Sequence, residues 1–124
     1  MKLKLVVAAA VLVMPVAAQA MPVDAFLARA QSLQSKGMLA MFSGDLKVLM
    51  DTIKADAAAL RGERESAQAG HRTPPYCPPG PVNMDQKEII AAMQAVPPAE
   101  RSRTDTRTAL RAHLARRFPC PPSR

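Results

Sequence analysis

Two cysteines stand in this chain, and both are locked among prolines: PPYCPPGP at residues 74–81 and RFPCPPSR at residues 117–124. Proline holds φ near about −65° and has no amide to donate, so neither stretch can continue a helix or join a central strand. Each sulfur is therefore set at a stiff corner of the backbone. One intramolecular pairing is available to two cysteines. Joining Cys77 to Cys120 closes a loop of 44 residues, which the loop-entropy account values at about 4 kcal/mol. The competing arrangements are two free thiols or a link between chains.

Compartment decides among these, and the first twenty residues speak to it. Lys2 and Lys4 make a basic start, Leu5 to Met14 is an unbroken apolar run, and Pro15 ends it. Ala18-Gln19-Ala20 fits small-x-small cleavage, so residues 1–20 read as a cleaved signal peptide and the protein as periplasmic. The apolar run is shorter than the ~20 residues a membrane span needs, and no cysteine lies near the cleavage site for a lipid. Thiols oxidise in an exported chain. A Cys77–Cys120 disulfide is the expectation.

Residues 21–124 are of a length for one domain. Their core must be thin and built mostly without rings, since Phe26, Phe42, Tyr76 and Phe118 are the only phenyl and phenol side chains. No apolar-polar alternation rich in β-branched residues runs far enough for a strand, whereas helical spacing recurs. Val23, Phe26, Leu27, Ala30 and Leu33 form one stripe, opened by Pro22 and stopped by Gly37. Leu46, Leu49, Met50, Ile53, Ala57 and Leu60 form a second, with Ser43 as N-cap and fraying expected between Gly62 and Gly70. Between them, Met38, Met41 and Phe42 read as a short helical plug in the core. Residues 71–82 are a proline-rich linker. Asn83, with Gln86 three residues on, caps a helix at 84–96 whose face is Ile89, Ile90, Met93 and Val96. A final helix, capped by Ser102 or Thr104, presents Ala109, Leu110, His113, Leu114 and Phe118. The fold class is all-α: a small bundle of about four helices, N-terminal helices in 21–70 and a disulfide-stapled hairpin in 83–120.

Chemistry-bearing residues are few. His71 falls in the linker and His113 on an apolar helical face, with no recognisable nucleophile, base and orienter set, so no catalytic residue is assigned and the protein is not read as an enzyme. Two His and two Cys could hold zinc, but their spacing matches no close-pair pattern and oxidation consumes the thiolates, so no metal or other cofactor is expected. The six methionines after residue 20 read as core filler. Charge is uneven. Residues 101–124 hold seven arginines against one acid, Asp105, while residues 21–100 are near neutral. Arg103, Arg107 and Arg111 recur every four residues as a stripe on the last helix, a candidate surface for an acidic protein or an anionic membrane. The bland alternative is a solvated face that aids solubility. Export and the absence of aromatics among the arginines argue against nucleic acid.

The stretch YCPPGPVNMDQKEIIAAMQAVPPAERSRTDTRTALRAHLARRFPC, residues 76–120, resembles the Rap/Tai family of type VI secretion immunity proteins. It shows Cys77-Pro78-Pro79, a helix, Pro97-Pro98 followed by Arg101, then a helix ending in Phe118-Pro119-Cys120. Additional cysteines and a Gly-Tyr that many members carry in the first half are missing from residues 21–70. The resemblance implies a small exported helical protein that binds a cell-wall amidase toxin and blocks its active site by steric occlusion. The alternative is a basic envelope-associated structural protein that binds anionic lipid or acidic partners.

Overall fold

The computed structural model describes residues 20–122, so the expected signal peptide, but for Ala20, lies outside the described residues. Four α-helices carry the fold: α1 Val23–Lys36, α2 Gly44–Ala69, α3 Gln86–Gln94 and α4 Thr106–Arg117. Short 3-10 helices at Gly37–Phe42, six residues, and Pro98–Glu100, three, connect α1 to α2 and α3 to α4. There is no strand among the described residues, only an isolated antiparallel bridge between Pro22 and Asp105. The all-α expectation holds.

Helix starts show which local signals win. Ser43 caps α2 as its position suggests, accepting from the Asp45 amide at 3.2 Å. Asn83, Ser102 and Thr104 do not cap. Asp85 caps α3 by accepting from the Glu88 amide at 2.8 Å, and Asp105 caps α4 by accepting from Thr108 at 2.7 Å. Two overlapping capping spacings compete before α3, and the aspartate wins because its charge also meets the positive helix end. The first turn of α1 has no side-chain cap. Its Val23 and Asp24 amides donate instead to the carbonyls of Thr104 and Arg101, at 2.9 and 3.2 Å, while the Thr106 amide returns a bond to Met21 at 2.8 Å. The starts of α1 and α4 thus satisfy each other's orphan groups.

Helix ends are equally specific. Gly37 takes φ 56°, a left-handed conformation that favours glycine, and turns the chain out of α1. α2 runs unbroken through Gly62 to Ala69. The left-handed residue at its end is His71, φ 54°, rather than Gly70, and the Arg72 amide reaches back to Ala67 at 2.8 Å. Arg101 closes α3: its guanidinium donates to the carbonyls of Val96 at 2.8 Å and Gln94 at 3.0 Å. A residue counted with the basic tail is therefore a cap, held where a cation suits the negative helix end.

The core takes Val23, Phe26 and Ala30 from α1, Leu49 and Leu60 from α2, Ala92 and Met93 from α3, and Ala109, Leu110 and Leu114 from α4. All but Ala92 fall on the apolar stripes of the sequence, and Ile89, Ile90 and Val96 of the α3 stripe are only partly buried against this core. Tyr76, in the linker, is also buried. Next to it Cys77 is bonded to Cys120, and the Cys77 amide donates to Phe118 at 2.8 Å. The staple joins the strap before α3 to the end of α4, as expected. One packing expectation fails. Met38, Met41 and Phe42 do not plug the core: they are 88 %, 75 % and 88 % exposed. Their segment packs mainly on α1 and α2, while α3 and α4 supply Ala92, Met93, Ala109, Leu110 and Leu114 to the interior.

Candidate functional site

The failed plug is the feature that stands out. Gly37 turns the chain outward, Ser43 caps α2 six residues later, and an almost wholly apolar stretch is held between them in a single layer. Met38, Leu39, Met41 and Phe42 lie open, and on α2 Met50 is half exposed and lines the same groove as Met41. A groove of about 630 Å³ adjoins them, walled by Phe26, Ala30 and Leu33 of α1, Leu49 and Ile53 of α2, and Ile89 of α3. Large apolar side chains left open together in one short segment beside a groove mark a candidate interaction site. Half of the six methionines after residue 20 are on this face or its edge, and their flexible thioethers adapt to a partner's shape. They are not the core filler expected of them, although Met93 is.

Several charges around the face are matched within the chain, although Lys54, which also lines the groove, makes no ion pair among the described residues. Arg29 meets Asp45 at 2.7 Å, Lys36 meets the same carboxylate at 3.8 Å, and Lys47 meets Asp51 at 2.6 Å. The hydrogen bond to Lys47 holds the Asp51 carboxyl below its usual range, and the same bond raises the Lys47 ammonium. Both side chains are open to solvent, so this pair shapes the rim and adds little to stability.

The arginine series of the last helix is not one stripe. Arg103 precedes α4, in an exposed turn, because the helix begins at Thr106. Arg107 and Arg111 are on α4 but turn toward α2. Arg107 Nε lies 3.4 Å from Asp56 Oδ1, an ion-pair contact without hydrogen-bond geometry. Asp56, 1 % exposed, also accepts from the Thr106 hydroxyl at 2.5 Å. Burial pushes the Asp56 carboxyl above its usual range, against the Thr106 bond and the Arg107 charge. Arg111 forms a bidentate pair with Glu63, 2.9 and 2.6 Å, and that bond holds Glu63 below the usual range. Acids on α2 at positions 56 and 63 are two turns apart, the spacing that lets them face one side of α4.

The histidines stay apart. His71 is exposed at the end of α2. His113 is half-buried, with Nε2 2.8 Å from Glu88 Oε1, and Arg117 Nη1 donates to the same oxygen at 2.7 Å. Glu88 thus clamps α3 to α4. No group of three or more His, Cys, Asp or Glu side chains able to hold a metal occurs among the described residues, nor is any helix there long and apolar enough to cross a membrane. Comparison with protein-family models, curated proteins and solved structures finds no match to this chain. Sequence reasoning missed the apolar face by assigning Met38, Met41 and Phe42 inward. The signal was present: MLAMF is apolar on every side, and a connection of that length has only one side to bury.

Proposed function

We propose that this chain is an exported periplasmic binding protein of the immunity type, which lays its open apolar face over a secreted cell-wall amidase and blocks access to that enzyme's active site. The carrying observation is the segment Met38–Phe42, four large apolar side chains left open beside a groove. A protein partner suits large apolar side chains left open in one short segment beside a groove. Resemblance of residues 76–120 to the Rap/Tai family supports an amidase toxin as that protein, and the basic leader at residues 1–20 supports export to where such a toxin acts. Arg61, Arg64, Arg103 and Arg116 make no ion pair among the described residues. They would hasten the encounter with an acidic partner more than they tighten it.

The test is inhibition of peptidoglycan hydrolysis by an amidase encoded beside this protein, measured with the disulfide-bonded chain. Parent protein should inhibit at stoichiometric ratio. Met38→Ser/Phe42→Ser should weaken the complex about tenfold or more, the scale of losing interface anchors, with the thermal midpoint unmoved. Failure to inhibit any neighbouring amidase, or a double variant as potent as the parent, would overturn the reading.

A further inference from the structure

A second cavity, of about 670 Å³, opens on the other side of α2, between that helix, α4 and the strap that follows Tyr76. Its floor is apolar: Leu60, Leu110 and Leu114 meet there, each at most 3 % exposed. One wall is the strap 77–82, Cys-Pro-Pro-Gly-Pro-Val, stiffened by its prolines and anchored by the disulfide at Cys77. Arg61 and Arg64 stand on the opposite wall, one helical turn apart. No Asp or Glu lines the cavity. Neither arginine makes an ion pair among the described residues, and Arg64 is steered over the Tyr76 ring, 5.6 Å from its centroid. Arg107 and Arg111 of α4 differ from them: each has a carboxylate of α2, whereas Arg61, exposed, and Arg64, partly buried, have none among the described residues. Two like charges one turn apart repel each other, and here they do so beside an apolar floor with no counter-charge in the cavity.

We infer that this cavity is a binding site for an amphiphilic carboxylate, its apolar body on the leucine floor and its carboxylate between Arg61 and Arg64. Guanidinium forks suit a carboxylate's two oxygens, and the volume is of the size that takes small organic ligands. The walls are set before binding, by covalent bond and by proline, so little ordering is required when the ligand enters. This site is separate from the apolar face, whose groove lies across α2 between α1 and α3.

Tyr76 makes the test selective. It is the sole tyrosine, there is no tryptophan, and it lines this cavity, so tyrosine emission reports occupancy here and not at the Met38–Phe42 face. Decanoate, below its micelle concentration, should change that emission saturably, and decanol should bind about tenfold or more weakly, the scale of a charge-assisted hydrogen bond. Arg61→Ala/Arg64→Ala should remove the difference between the two ligands, Arg61→Lys/Arg64→Lys should keep part of it, and Met38→Ser/Phe42→Ser should leave it whole. The comparison of decanoate with decanol on the parent chain needs no variant to fold. No saturable change with decanoate, equal affinity for decanol, or an alanine pair that still prefers the acid would each overturn the site.

Discussion

The two halves of this molecule treat their side chains differently. In the hairpin of α3 and α4 the polar groups are matched inward: Asp85 and Asp105 cap, Arg101 closes α3, Glu88 clamps His113 and Arg117, and a disulfide joins the ends. In the pair α1 and α2 the connection leaves four large apolar side chains to solvent, with several self-matched charges around them. One half matches its polar groups within itself, and the other leaves large apolar side chains uncovered. The face on which the proposed binding rests lies in the α1 and α2 pair.

That contrast can be broken, most forcefully at the staple. Reducing Cys77–Cys120, or replacing both by serine, should remove about 4 kcal/mol and lower the thermal midpoint on the order of 20 °C. A melt indifferent to reductant would show that the hairpin does not depend on its bond. Next is Leu110→Ala, which empties a fully buried position of α4 and should lose about 3 kcal/mol by denaturant titration. Phe42→Ser, at 88 % exposure, should stay within about 0.5 kcal/mol of the parent. Equal losses from the two would remove the distinction between a closed and an open half.

Smaller effects sharpen it. Arg101→Ala strands the last carbonyls of α3 and should lower stability by about 1 kcal/mol, visible as faster amide exchange in α3 than in α2. Conversely, His71→Gly relieves a left-handed residue and should raise stability by about 1 kcal/mol. An unchanged or lower midpoint would mean that the histidine earns its conformation through contacts glycine cannot make.

Acid separates the two α2 carboxylates, with effects of opposite sign. Asp56 titrates above its ordinary value of 3.8 when folded, so its burial weakens the fold at neutral pH, and that penalty fades as the pH falls through the raised value. Glu63 titrates below its ordinary value of 4.5, so its pairing with Arg111 stabilises above that point and is lost as the pH falls through the lowered value. Glu63→Gln should therefore flatten the acid-side loss of stability by a few tenths of a kcal/mol, since the pair is partly exposed. Asp56→Asn should abolish an acid-side gain. Parallel curves for the two variants would contradict the opposed shifts.

Much of this was legible along the chain. Apolar residues at helical spacing placed all four helices and most of the core, because a helix that must bury one face repeats it every three to four residues. Proline and cysteine placed the corners and the bond. Caps were legible as a set but not as a choice: Asn83 and Asp85 both fit the start of α3, and only the aspartate adds a charge to the hydrogen bond. Tyr76 escaped because a buried residue in an irregular strap has no period to betray it. Met38, Met41 and Phe42 escaped because composition reports that a segment is apolar and is silent on whether an element remains to cover it.

Helical content, the disulfide and the uneven charge were thus written in local order, since propensity, capping and thiol count act within a few residues or by simple elimination. Folding in three dimensions settled which arginines meet carboxylates, that the starts of α1 and α4 close each other, and that one apolar segment stays open. Those outcomes depend on which distant surfaces come together and on how much interior is left to fill, and neither is a property of any short stretch of chain.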